Sequence, residues 1–242
     1  MLDVVSKENF ASKCALDILD KIQFFLRNNG TCNILLAGGN TPRSVYEKII
    51  ELQADFNIDW ARCVFFIGDE RYVPYDDPQN NGKMADEALL QPLNIHPSQR
   101  IFINTDLPLV DAANNYSDRL IATPDLVKNG FQIVLLGLGA DGHTLSLFPG
   151  KFTFSDLNEL VWGYFVDTQR GSRITLTPLI INRSAYVLFM VSGAAKSKAV
   201  YQVAQNELAL ASEFPAKLIN PGFDKLHFIV DEEAASMLDT CG

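Results

Sequence analysis

Three short apolar runs in this chain end directly in glycine: Asn33–Ala37 before Gly38-Gly39, Val64–Ile67 before Gly68, and Ile133–Leu136 before Gly137. The runs are continuous rather than alternating, so both faces of each strand need cover. The segments between them carry helical periodicity. Phe10, Cys14, Ile18, Ile22 and Phe25 predict a helix over about Lys7–Arg27, ended by Asn29-Gly30. Pro42 sits in the first turn of a second helix over Thr41–Gln53. Helices are also predicted over Asn81–Leu90 and Val110–Ile121. Strands are predicted over Arg100–Ile103, Val161–Val166, Tyr186–Val191 and Leu226–Val230, with helices after the last two. Buried strands separated by helices make an α/β fold, a mostly parallel sheet with helices on both faces. The 242 residues fit a single domain spanning 1–242, undivided by any repeat, linker or low-complexity stretch. Thr153–Glu159 and Arg170–Arg173 read as flexible loops.

Composition removes several classes of function. Hydrophobic residues make up 48% and charged residues 20%, which excludes a disordered chain. The net charge of −9 argues against a nucleic-acid partner, which needs a basic face. A small anion remains admissible, because it senses only the local field of a cleft. Cys14, Cys32, Cys63 and Cys241 form no CxxC pair and read as buried thiols of a reducing compartment. Asp3, Lys7 and Glu8 break up the N-terminus, so it does not read as a signal peptide. No apolar run approaches the roughly 20 residues that span a bilayer. A soluble, cytoplasmic protein with no membrane partner is expected.

In a parallel sheet of this kind, ligands bind beyond the carboxyl ends of the strands. Three loops rich in glycine and charge are predicted there. In Gly38-Gly39-Asn40-Thr41-Pro42-Arg43, two glycines let the backbone approach an anion, and Thr41 and the helix-start amides supply donors. The same segment also reads as a tight turn with Thr41 as a cap. Gly68-Asp69-Glu70-Arg71 places three charges directly after a buried strand. Asp69 suits sugar hydroxyls and Arg71 suits a phosphate or carboxylate, unless the two form an internal ion pair. Gly137-Leu-Gly139-Ala-Asp141-Gly142-His143 contains GxGxxG. Asp141 there would repel a pyrophosphate, and the motif follows several βα units instead of opening the first, so NAD binding is not predicted.

His143 is the candidate general base, an imidazole in a glycine loop with Asp141 two residues away. His96 lies in a Pro-flanked turn, and His227 reads as a satisfied core residue. No histidine pair has the i,i+4 spacing of a zinc helix, so no metal is predicted. No GxSxG elbow occurs. Lys196, in Val191-Ser-Gly193-Ala-Ala-Lys196, follows a strand at a helix start. It is either a point charge for an anion or a solvated surface lysine.

Taken together, LLAGGNTPRSVYEKI, FFIGDERYVPYDDPQNNGKMADEALL, IVLLGLGADGHTLSLFPG and RITLTPLIINRSAYVLFMVSGAAKSKAV resemble the 6-phosphogluconolactonase family. Phe214-Pro-Ala216 and Asp231-Glu-Glu-Ala-Ala235 look like that family too. The resemblance implies one α/β domain built on a modified Rossmann-like sheet, related to glucosamine-6-phosphate deaminases. It implies hydrolysis of 6-phospho-D-glucono-1,5-lactone to 6-phospho-D-gluconate without a cofactor, in the second step of the oxidative pentose phosphate pathway. His143 falls on the family's general base, and Asp69 and Arg71 on its GDER motif. Gly38, Gly39 and Thr41 fall on its GGxTP loop, and Asn81 on its SN motif. Arg173 precedes the threonine-rich strand, and Lys196 is the lysine of GxxK. Asn40 and Asn80 depart from the family pattern, and the stretch before Arg173 lacks the usual prolines.

On this resemblance the phosphate is held by Arg71, Lys196 and the Gly38-Gly39 amides, with Arg173 contributing. His143, oriented by Asp141, activates a water. A deaminase or isomerase, or a sugar-phosphate sensor of the same fold, is the alternative. Deaminases read DEY where this chain has Asp69-Glu70-Arg71. They also carry a glutamate in a phrase like FNEPG, where this chain has Leu147-Phe148-Pro149-Gly150.

Overall fold

Seven parallel strands form the central sheet of the computed structural model, which describes residues 1–153 and 156–238. In chain order the elements are β1 (Leu2–Val5), α1 (Phe10–Asn29), β2 (Cys32–Leu36), α2 (Asn40–Leu52), β3 (Cys63–Ile67), β4 (Asp69–Arg71) and α3 (Asn81–Ala85). Next come β5 (Arg100–Ile101), α4 (Leu109–Ala122), α5 (Leu126–Asn129), β6 (Ile133–Leu136), β7 (Val161–Asp167) and β8 (Gly171–Leu176). The last are α6 (Pro178–Ile181), β9 (Val187–Val191), α7 (Ser197–Ala204) and β10 (Leu226–Asp231). The sheet order is β1-β10-β9-β6-β2-β3-β5, with every pair parallel. From β2 the chain builds outward through β3 and β5. It then crosses back to β6 and builds the other way through β9 and β10. The direction therefore reverses between β2 and β6, which opens a crevice beyond their carboxyl ends.

The continuous apolar runs are explained by cover on both faces. Successive strand residues point to opposite sides. Ile34, Leu36, Phe65, Ile67, Leu135 and Leu188 pack on the side of α1 and α2. Leu35, Phe66, Val134, Leu136, Val187 and Phe189 pack on the side of α4, α6 and α7. The periodic residues of α1 are buried as predicted, with Cys14 and Ile18 at its centre. Cys14, Cys32 and Cys63 are buried free thiols, whereas Cys241 lies outside the described residues. The predicted helix over Asn81–Leu90 begins as α3 and widens into a π turn over Asp86–Leu90.

Two buried tyrosines, one from each face, tie down the ends of neighbouring strands. The Tyr46 hydroxyl accepts from Ala37 N and donates to Ala37 O, both at 2.9 Å. The Tyr116 hydroxyl accepts from Ile67 N at 3.1 Å and donates to Ile67 O at 2.7 Å. These bonds occupy backbone groups where the strands stop and the loops begin. Tyr46→Phe would leave the amide and carbonyl of Ala37 unpaired in the interior. A loss of about 1–3 kcal/mol is expected, or a fall in Tm of roughly 2–12 °C at this chain length. Thermal unfolding followed by far-UV circular dichroism measures it, and an unchanged Tm would show that these groups are satisfied elsewhere.

Several sequence expectations are corrected. Val161–Val166 is a strand, but not of the parallel sheet. β7 pairs antiparallel with β8, and β8 with β4, in a second sheet of three strands. Asp69–Arg71 and most of Arg170–Arg173, read as loops, are strands of this sheet. Their charged residues border a cavity, which hides the burial pattern that marks a strand. Of Thr153–Glu159, Phe154 and Ser155 lie outside the described residues, and a short 3-10 turn covers Asp156–Asn158. β1, not predicted, pairs with β10 at the sheet edge. No helix follows β10 among the described residues. The Asp231 carboxylate takes the Ala234 amide at 2.7 Å and holds the chain in turns. His227 is half-buried rather than a core residue, its ring 4.4 Å from that of Tyr186.

Candidate active site

A cavity of about 360 Å³ opens at the carboxyl ends of the strands, over the switch between β2 and β6. Gly38, Gly39 and Thr41 after β2, Asp69 and Arg71 on β4, and Asn81 at the start of α3 line it. So do His143 after β6, Arg173 on β8 and Lys196 after β9. Asp141 is the one predicted site residue set behind the wall, against His143.

The glycine loop, Asn81 and Arg71 form a single construction. A Cβ on Gly38 would overlap the Asn81 side-chain amide, so only glycine lets Asn81 lie across this loop. Asn81 Nδ2 donates to Asp69 O at 2.8 Å, and Asn81 Oδ1 accepts from Arg71 Nη1. Arg71 Nη1 also donates to Gln79 O at 3.2 Å. The internal Asp–Arg ion pair weighed for this loop is not formed. Asp69 instead accepts from Ser146 Oγ at 2.6 Å. Beneath this layer the Glu70 carboxylate accepts from the amides of Asn81, Gly82 and Arg71 at 2.7, 2.8 and 2.9 Å. Burial pushes the Glu70 carboxyl up to about 7, against the pull of these three donors. The amides of Gly38 and Gly39 have no acceptor among the described residues, and α2 starts at Asn40 with its first donors free.

In the loop after β6, His143 Nδ1 lies 2.5 Å from Asp141 Oδ1. The carboxylate fixes Nδ1 as the protonated nitrogen, which leaves Nε2 as an acceptor. Nε2 has no hydrogen-bond partner among the described residues. The bond from His143 holds the Asp141 carboxyl well below the usual range, at about 2. Gly139 is required here, because a Cβ would run into the His143 ring and the Asp141 carboxylate. The loop is closed by Gly139 N donating to His143 O and Thr144 Oγ1 to Gly137 O, both at 2.8 Å. Residues 137–150 form turns and a single bridge, so no helix opens from the GxGxxG sequence.

Charge concentrates where the overall balance would not suggest it. Arg71, Arg170, Arg173 and Lys196 line the cavity against one carboxylate, Asp69. Arg71 and Arg173 stand directly opposite each other on β4 and β8. Like charges in that register repel, and an anion between them relieves the repulsion. Burial, then the charge of Arg71, lowers the pKa of Arg173. Burial likewise lowers that of Lys196, partly offset by Asp141. Lys196 is half-buried rather than solvated, and its ammonium has no partner among the described residues. Among the described residues, no three His, Cys, Asp or Glu side chains are placed to hold a metal ion.

Three contributors were given no site role from sequence. Arg170 reaches Asp141 from the start of β8. Phe148 packs its ring 4.5 Å from that of His143. Asp231 braces the loop bearing Lys196 by accepting from Ser192 Oγ at 2.6 Å and Gly193 N at 3.0 Å. The available signal for Asp231 was its acidic side chain at the end of an apolar strand. Arg170 and Phe148 carried none that separates them from surface and core residues.

The family model described as glucosamine-6-phosphate isomerases/6-phosphogluconolactonase matches residues 5–228. The 6-phosphogluconolactonase of Synechocystis sp. is 32% identical, over 97% of this chain and 96% of its own. The crystal structure of 6-phosphogluconolactonase from Thermotoga maritima superposes with a TM-score of 0.82 at 28% identity, covering 96% of this chain and 99% of that one. The Trypanosoma brucei 6-phosphogluconolactonase superposes with a TM-score of 0.85 at 26% identity, covering 98% of each. With the sheet order, the loop positions and the family model in agreement over most of its length, the chain belongs to the glucosamine-6-phosphate isomerase/6-phosphogluconolactonase family.

Proposed function

We propose that this protein hydrolyses 6-phospho-D-glucono-1,5-lactone to 6-phospho-D-gluconate. The observation that carries the reading is one cavity holding an Asp-oriented histidine together with four cations, in a chain of net charge −9. His143 Nε2 takes a proton from a water, whose oxygen attacks the lactone carbonyl carbon. The tetrahedral oxyanion collapses, the bond from that carbon to the ring oxygen breaks, and protonated His143 returns the proton to the departing oxygen. Asp141 stays ionised and keeps the imidazole in the right tautomer. Arg71, Arg173, Lys196 and the Gly38-Gly39 amides hold the phosphate. Asn81 seats Arg71, Thr41 adds a donor for the phosphate, and Asp69 serves the sugar hydroxyls.

The site favours a lactonase over a deaminase of the same fold. Phe148, rather than a glutamate, precedes Pro149-Gly150, and its ring lies against His143. Residues 1–242 act as one unit in this reading, supported by β1 pairing with β10 across the length of the chain. No helix among the described residues is long and apolar enough to cross a membrane. The three buried thiols support a cytoplasmic setting.

The test is a coupled assay of acid release from freshly made 6-phosphogluconolactone, corrected for spontaneous hydrolysis. Appearance of ammonia or a ketose phosphate from an amino-sugar phosphate, with no lactone turnover, would replace this reading with the deaminase. The residues supply base, tautomer control and anion binding without a metal. Activity is therefore expected to survive EDTA and to need no added nucleotide. Loss on chelation that zinc or magnesium restores would overturn that expectation.

A further inference from the structure

Among the described residues, Arg170 is the one cation paired with Asp141. Its Nη2 lies 3.6 Å from Oδ2, the oxygen that His143 does not use. The guanidinium is held in place. Nη1 contacts Asp167 Oδ2 at 2.8 Å, the Arg170 amide donates to Asp167 Oδ1 at 2.8 Å, and Arg173 donates to the Arg170 carbonyl. The Arg170 Cζ lies 4.9 Å from the centre of the Phe148 ring, the same ring that packs on His143. Arg170 also stands in the stretch that departs from the family pattern before Arg173, so nothing in the motifs accounts for it.

A carboxylate bonded to an imidazole raises its affinity for a proton. A base that keeps its proton is idle near neutral pH. We propose that Arg170 is a positioning residue acting on His143 through Asp141. It occupies Oδ2 and offsets part of the carboxylate's charge. Without Arg170, the full carboxylate charge of Asp141 would face the imidazole. The charged groups around the pair are Asp141 on its own loop, Lys196 from the turn before α7, and Arg170 from the β7–β8 hairpin. Asp167 backs Arg170 and is itself approached by Lys151 at 3.9 Å. Lys196 acts on Asp141 in the same direction, without contact.

The role in turnover rests on the lactonase reading, but the effect on the imidazole does not. The experiment is therefore a 15N imidazole titration of the substrate-free, full-length protein, with His143→Asn identifying the signal. In Arg170→Gln the His143 midpoint should move to higher pH by on the order of half a unit. The acidic limb of kcat/KM should move with it, a loss of about threefold on that limb with the plateau at higher pH retained. Phosphorylated and unphosphorylated lactones should lose equally. Arg170→Lys, which keeps the charge, should move the midpoint less. A midpoint that stays, falls, or moves as far in Arg170→Lys overturns the proposal, as does a loss confined to the phosphorylated lactone. A wild-type protein without lactone turnover would end the lactonase reading, and the titration would still decide for or against Arg170.

Discussion

His143→Ala and His143→Asn are expected to lower turnover of the phosphorylated lactone by roughly 10²–10⁴-fold, the usual share of general acid–base catalysis. The imidazole offers an unoccupied Nε2 to the cavity, while Nδ1 is committed to Asp141 at 2.5 Å. Either substitution removes the acceptor for the water's proton and the donor for the ring oxygen. Neither should unfold the loop, because its closing bonds come from the Gly139 amide, the His143 carbonyl, Thr144 and Gly137. The ring itself is partly exposed rather than a core group. Steady-state kinetics beside a circular dichroism spectrum make the measurement. A folded variant with wild-type turnover would exclude His143 as the base.

Arg71→Ala and Lys196→Ala are each expected to cut kcat/KM on the phosphorylated lactone by about 10–150-fold, for charge-assisted contacts of roughly 1.5–3 kcal/mol. Unphosphorylated glucono-lactone makes no such contact, so its low rate should barely move. Arg71 faces Arg173 across β4 and β8, and Lys196, in the same cavity, has no partner among the described residues. Removing either cation takes away part of the field that holds a dianion. If Arg71 serves only to seat Asn81, Arg71→Ala should instead hurt both substrates alike. If Lys196 is a bystander, its removal should change neither. Comparing both variants on both lactones separates these outcomes, and equal proportional losses would take the residues out of the phosphate site.

The parallel sheet was legible because burial on both faces leaves a local mark. Ile34-Leu-Leu36 and Ile133-Val-Leu-Leu136 are apolar at every position, whichever side each residue faces. Each of the strands β2, β3 and β6 runs into a glycine-bearing loop, so the loops at their carboxyl ends could be named as candidate binding loops. His143 stood out because histidine is scarce in this chain and the loop around it is rich in glycine.

The second sheet left no such mark. Asp69-Glu70-Arg71 and Arg173-Ile-Thr175 form strands by pairing with each other across about a hundred residues, and Asp69, Arg71 and Arg173 face a cavity that exists only once they are paired. β1 was missed for the same reason, since its partner β10 lies at the far end of the chain. The sequence by itself determined the layered α/β class and which loops line the cavity, because periodicity and glycine placement are local. Tertiary structure alone decided that Arg71 faces Arg173, that Asp141 stands behind His143, and that Arg170 reaches Asp141. The first and last of these are distances between side chains on separate strands and loops, set by how those elements pair; the second, between neighbours in one loop, was expected from sequence and needed the loop's closure to bring the two side chains into contact.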